Sequence, residues 1–319
     1  MRSTEKYLNK VKKLTDELGR AGAAKKLGIK RETLKRRLRE LRERIEGKGK
    51  QFDQKIFQDL RARYSDSELK RLAAGALIVP EQPAFHHEFK GERLMIGLIS
   101  DTHLGSIYTN PDFLFAAFDE FRRKEVNFIC HTGDVTEGSS HRAGHQFECS
   151  HIGYSRQLEH ARDIFQVWDD TAIYMIDGNH DRWYIKGVGA NIVKELCSSM
   201  DNLEYLGHDE GNININGITI KLWHGEDGSS YAFTYRTQKI VESLTGGEKP
   251  NVLLCGHTHK AFYVFDRHIH CMSAGAIQKQ SKWMRSKRHQ SHTGFWVIEM
   301  LLGDSGVISF KPEWFPFYR

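Results

Sequence analysis

Five short motifs gather carboxylate, carboxamide and imidazole groups: Asp101-Thr102-His103, His131-Thr132-Gly133-Asp134, Gly178-Asn179-His180-Asp181, Trp223-His224-Gly225 and Gly256-His257-Thr258-His259. They lie in a chain of 319 residues that carries 17 histidines. Such groups suit a pair of divalent ions. Two ions about 3.5–4 Å apart take hard oxygen and imidazole ligands, with one carboxylate bridging them. In an extended Asp-x-His, alternate side chains point the same way, so both can face one ion. Gly-His-Thr-His repeats that alternation and offers one imidazole to each ion. Glycine before Asp134, Asn179 and His257 allows tight turns beside the metals. Any one of these histidines alone is equally well read as a satisfied loop residue; the ordered set is not.

The elements that must position these groups begin near residue 92, where apolar runs of strand length alternate with helical segments. Strands are predicted over 94–100, 126–131, 172–176 and 251–254. Helices are predicted over 111–124, 151–168, 188–199 and 231–244, the first with Asn110 as N-cap and Pro111 in its first turn. Ile213–Ile215 and Ile218–Trp223 read as a hairpin across Asn216-Gly217, and strands dominate to the end. Four motifs follow predicted strand ends and Trp223-His224-Gly225 ends a hairpin strand, which is where open α/β sheets bind ligands. Strand–helix alternation closing with strands predicts a layered α/β sandwich with two central sheets.

In order and approximate spacing, these motifs resemble the calcineurin-like metallophosphoesterase superfamily over roughly residues 93–300. The resemblance implies an α/β fold of four layers, α/β/β/α, and two divalent ions, with manganese favoured over iron, zinc or magnesium. It implies that Asp101, His103 and His259 hold the first metal and that Asn179, His224 and His257 hold the second. Asp134 would bridge them, His180 would protonate the departing oxygen, and Asp181 would orient His180. No ligand of that set is missing. Water would attack phosphorus in line, helped by metals that lower its pKa and neutralise phosphoryl charge. Protein phosphatases of the superfamily follow the second motif with G-D-x-x-D-R-G. Here Gly133-Asp134-Val135-Thr136-Glu137-Gly138 lacks that phosphate-clamping arginine. Ser100-Asp101-Thr102-His103-Leu104-Gly105 instead resembles the branch with double-strand-break-repair nucleases. Beside the bridging aspartate, His141, Arg142, His145 and His151 are candidates to contact substrate phosphate; a solvated polar loop is the alternative.

The basic charge is concentrated at the N-terminus. Residues 1–50 hold 18 Lys/Arg against 7 Asp/Glu, a net +11, while the whole chain carries +6. A basic end on a mildly acidic body suggests a polyanion-binding module. Helices are predicted over 3–18, ended by Gly19, then over 21–27, stopped by Gly28, and from about Arg31 with Leu34, Leu38 and Leu41 on one face. This segment resembles a Fis-type helix-turn-helix. On that reading Arg31, Lys35, Arg36 and Arg39 face outward toward phosphates or guanine edges. A basic arm for self-association, making a homodimer, is the alternative. The expected organisation is a helix-turn-helix module over 1–46, a helical linker over 47–90 and a catalytic domain over 91–319. Two short helices are expected over 51–76, with Ser65 and Glu68 as a capping box.

An apolar share of 39% and a charged share of 28% are ordinary for a globular protein. No apolar run is long enough to span a membrane, and Met1–Lys13 is no secretory signal. Five scattered cysteines without a Cys-x-x-Cys argue against a disulfide framework or thiolate zinc site and fit a cytoplasmic protein. The reading is a metal-dependent phosphodiesterase of nucleic acid, a nuclease, tethered to DNA. Rival readings are a phosphatase or cyclic-nucleotide phosphodiesterase that docks on DNA, and a DNA-binding regulator with a structural metal site.

Overall fold

The computed structural model describes residues 5–39, 41, 61, 65, 69, 84–87, 89–139, 142–168, 170–225, 232–245, 248–303 and 306–317. The chain divides into two compact units, Met1–Pro80 and Glu81–Arg319.

In the first unit, the helices expected over 3–18 and 21–27 are one continuous helix, α1 (Glu5–Leu27). A glycine inside a helix costs only about 1 kcal/mol against alanine, so Gly19 and Gly22 do not break it. The break comes at Gly28, whose φ of 64° is left-handed. There Gly28 N donates to Lys25 O at 3.2 Å and Ile29 N to Ala24 O at 3.1 Å, the paired bonds of a Schellman cap. Residues 31–39 are again helical. Leu34 is buried in a cluster with Val11, Ala23 and Ala24, and half-buried Leu38 packs against it. Most of the 51–76 segment, Glu68 included, lies outside the described residues; Leu69 N donates to Ser65 O at 2.9 Å.

The second unit begins with β1 (Ala84–His86), β2 (Arg93–Ile99), α2 (Pro111–Arg123), β3 (Phe128–His131), α3 (Tyr154–Phe165) and β4 (Ile173–Asp177). It continues with α4 (Arg182–Val188), α5 (Ile192–Ser198), β5 (Leu203–His208), β6 (Glu210–Ile215), β7 (Ile218–Trp223) and α6 (Tyr235–Ser243). It ends with β8 (Val252–Cys255), β9 (Ala261–Asp266), β10 (Ile269–Ala274), α7 (Lys282–Ser286), β11 (Gly294–Gly303) and β12 (Gly306–Pro316). Two six-stranded sheets result, ordered β12-β11-β2-β3-β4-β5 and β1-β6-β7-β8-β10-β9. The fold is mixed α/β, as expected.

Hydrophobic patterning explains the layers. Leu94–Ile99 of β2 is buried along its whole length, the mark of a central strand covered on both faces. Leu94, Ile96 and Leu98 meet Ile213, Ile220 and Leu254 between the sheets. Ile99 and Ile129 instead join Phe118, Leu158 and Leu196 under α2, α3 and α5. On the far side, Val241 of α6 packs on Leu253 and Cys271. Asn110 caps α2 by accepting from Asp112 N. Asn216 and Gly217 turn the hairpin at φ 49° and 82°, as a two-residue primed turn requires.

Four short α-helices and strands among the described residues were not expected: β1, α4, β5 and α7. Each has three to seven residues, too few for a periodic signal. β1 lies in the stretch read as linker, yet pairs in parallel with β6, Phe85 opposite Ile213. The sheet therefore starts before residue 91.

Candidate metal centre

All five motifs stand at the ends of β2, β3, β4, β7 and β8, so the topology brings them to one edge of the two sheets. The local backbone is unusual. Asp101, His103, Asp134, His257 and His259 all adopt positive φ, between 45° and 70°. The side chains converge from left-handed turns, not from the strand alternation expected of Asp-x-His. Left-handed backbone at a non-glycine residue costs of order 1–3 kcal/mol and persists where surroundings enforce it. Two glycines serve close approach. A Cβ at Gly178 would lie 2.2 Å from both Asp134 N and Oδ1, and one at Gly256 would lie 2.5 Å from Thr132 O.

The seven expected ligands come together in two linked groups. In the first, His259 Nε2 lies 3.1 Å from Asp101 Oδ1 and 3.3 Å from His103 Nε2. Asp101 Oδ2 is held by Ser100 Oγ and by His257 N, whereas buried Oδ1 accepts no hydrogen bond. Glu137 Oε2 stands 3.0 Å from His103 Nδ1. A carboxylate only accepts, so Nδ1 carries the proton and Nε2 presents a lone pair. In the second group, His224 Nδ1 donates to Thr132 O at 2.7 Å. Its Nε2 then faces Asp134 Oδ2 at 3.2 Å and Asn179 Oδ1 at 3.1 Å. His257 Nδ1 reaches the same Asn179 oxygen at 2.7 Å. Asp134 Oδ2 is also 3.7 Å from His103 Nε2, which places this carboxylate between the groups.

Lone pairs aimed at one another need a cation between them, so the donor set fits divalent metals. The field of the two carboxylates favours a positive charge at this point, whether it is carried by a proton or by an ion. Burial disfavours a charged His224, but Asp134 and Asp101 outweigh it and raise its pKa to about 9. Burial likewise works against an ionised Asp101, yet His259 holds it down to about 2.

His180 N donates to Asp134 Oδ1 at 2.8 Å, and its Nδ1 meets Glu137 O at 2.7 Å. Asp181 does not orient it as expected. The Asp181 carboxylate accepts from Val135 N, Thr136 N, Thr136 Oγ1 and Gly178 N at 2.8–3.0 Å, tying two motif loops together. His131 is also structural: Nδ1 accepts from Gly133 N and Nε2 meets Thr102 Oγ1.

The proposed substrate loop is only partly at the site. Arg142 lines the cleft over the metal groups, a cavity of about 980 Å³, and pairs with Glu148 at 2.6 Å. His145 is fully buried and donates from Nε2 to Glu137 Oε1 at 2.8 Å, so it cannot meet substrate directly. His151 stacks on His160 at 4.0 Å and does not line the cleft. His141 lies outside the described residues. Glu137 is the residue that sequence reasoning missed. Its carboxylate serves His103, His145 and Gln278, and its carbonyl serves His180. The available signal was an acidic residue three positions after Asp134, in the stretch that departs from the phosphatase pattern. Arg31, Lys35, Arg36 and Arg39 are exposed on the helix of the first unit.

A profile of the Calcineurin-like phosphoesterase superfamily domain matches residues 94–299. The DNA polymerase II small subunit of Methanothermobacter thermautotrophicus is 24% identical over 239 residues, covering 60% of this chain and 48% of the relative. The chain thus spans about half of that relative's length. Among solved structures, a novel archaeal phosphodiesterase is 15% identical at TM-score 0.42, covering 70% of this chain and 100% of its own. Yfce, a phosphoesterase from E. coli, is 14% identical at TM-score 0.40, covering 68% and 98%.

Proposed function

Because the chain belongs to the calcineurin-like phosphoesterase superfamily, we propose that it is a two-metal phosphodiesterase of nucleic acid, a nuclease, tethered to DNA by residues 1–46. The observation that carries the chemistry is the convergence of seven acceptor side chains on two adjoining points. Asp101, His103 and His259 would hold one ion, Asn179, His224 and His257 the other, and Asp134 would lie between them. The ions, with manganese proposed, supply charge neutralisation and activation of water.

The protein's own groups do the rest. Glu137 fixes the ring of His103, and Thr132 fixes that of His224, so each offers Nε2. His180 is the proton donor to the departing oxygen. Burial opposes its charged form, but Asp134 and Glu137 outweigh burial and raise its pKa. The diester preference rests on the absent phosphatase-type arginine and on the basic residues of the cleft wall, Lys260, Lys287 and Arg288. Four exposed cations on residues 31–39, in a segment of net charge +11, support DNA tethering. The relative named a DNA polymerase small subunit lends support from the same direction. No helix among the described residues is long and apolar enough to cross a membrane.

The test is labelled single- and double-stranded DNA with manganese, beside a chromogenic phosphodiester and phosphomonoester. DNA cleavage and a higher kcat/KM for the diester are expected. A strong preference for the monoester, with DNA intact, refutes the nuclease reading.

A further inference from the structure

One wall of the cleft is built by the connection between β10 and β11, which carries α7. Its chemistry differs from that of the metal groups. Ser281 caps α7 and Met284 turns inward at 8% exposure, while neighbouring Trp283 turns into the cleft and stays 42% exposed. Core packing explains Met284; it does not explain an indole left this exposed beside the metal groups, with Arg142 6.0 Å from its ring centre and the His289 ring 5.5 Å away at 44°. Lys287, the C-cap of α7, and Arg288 after it line the same cleft. A second aromatic, Phe233, is 38% exposed there, with Lys260 Nζ 5.6 Å from its ring. The carboxylate nearby, Glu148, is already paired with Arg142.

A part-exposed indole flanked by cations, in a cavity of about 980 Å³, matches one ligand chemistry: a planar base joined to a phosphate. Both base faces are covered inside a duplex, so such a platform can engage only an unpaired base. We infer that the cleft takes an unpaired nucleotide, its base stacked on Trp283 and its phosphates drawn by Lys287 and Arg288. This deepens the proposed nucleic-acid phosphodiesterase by naming single-stranded substrate, and it rests on that reading. The N-terminal module would hold duplex, and the cleft would receive the unpaired part.

Binding, measured by calorimetry on the full chain, separates this inference from the activity. Adenosine 5′-monophosphate is expected to bind more tightly than ribose 5-phosphate. Trp283→Ala should weaken the nucleotide by about fivefold or more, the usual effect of removing one stacking partner, and leave ribose 5-phosphate unchanged. Trp283→Phe should keep most of the affinity, which separates stacking from misfolding. Lys287→Ala with Arg288→Ala should weaken both ligands. A short single strand should lose affinity in Trp283→Ala, whereas its duplex should not. Equal binding of the two small ligands, equal loss of both in Trp283→Ala, or no binding of either overturns the inference. If the nucleotide binds as described but no diester is hydrolysed, the proposed activity falls and the base platform stands.

Discussion

Replacing Glu137 with glutamine removes one negative charge from behind His103 while preserving the side chain's shape. Glu137 is 4% exposed, and its oxygens stand 3.0 Å from His103 Nδ1, 2.8 Å from His145 Nε2 and 3.2 Å from Gln278 Nε2. A glutamine can keep its oxygen toward His103 and Gln278 and turn its NH2 toward His145. His145 then accepts at Nε2 by moving its proton to Nδ1, the other neutral tautomer. What disappears is the charge on the acceptor. Hydrogen bonds to charged groups contribute about 1.5–3 kcal/mol and neutral ones about 0.5–1.5 kcal/mol. The difference, about 1–1.5 kcal/mol, makes His103 Nε2 a weaker ligand and lowers first-site metal affinity about five- to fifteenfold. Glu137→Ala instead leaves three groups without this acceptor and opens a cavity, so a larger loss, approaching 100-fold, is expected. Calorimetric titration of metal-free protein with manganese resolves the two sites. The second site, held by His224 through Thr132, should change little in Glu137→Gln. First-site affinity within twofold of wild type in Glu137→Gln refutes the reasoning, as does equal loss at both sites.

Asp134→Ala should abolish turnover and strip metal, whereas His180→Ala should lower turnover roughly 10²-fold with metal content intact; elemental analysis beside kinetics on a chromogenic diester checks both. Asp181→Asn turns an NH2 toward two of the four donors that Asp181 accepts. The Thr136 hydroxyl can rotate and accept from that NH2, which leaves Thr136 N as the unmet donor; at about 1–3 kcal/mol for it, the variant should lose about 1–3 kcal/mol of stability, read as a fall in Tm; an unchanged Tm would restore a purely catalytic role. In the isolated module of residues 1–46, or in the full chain if that module does not fold alone, Arg36→Ala and Arg39→Ala should weaken duplex DNA binding. The slope of log affinity against log salt should flatten by about one for each phosphate that is no longer neutralised. Indifference to DNA at low salt would leave self-association as the role of this segment.

Much of the protein is written locally. Leu94–Ile99 reads as a buried strand because an unbroken apolar run of that length suits only a core position, and Asn110-Pro111 and Asn216-Gly217 are short-range cap and turn signals. The candidate metal-binding groups were legible because residue type and order carry the chemistry. Five motifs at strand ends need no knowledge of how the strands pair. The tertiary structure decided what type and order leave open. It set left-handed backbone at Asp101, His103 and Asp134, where a strand pattern suggested simple alternation. It withdrew His145 from the substrate by burying it against Glu137, and it gave Asp181 the backbone of two loops to hold in place of His180. It also recruited β1 and α7, elements too short to announce themselves, and turned Trp283 into the cleft. The physical reason is range. Periodicity, caps and turns act within a few residues, whereas Glu137 and Gln278 lie 141 residues apart in sequence and meet only because two sheets stack.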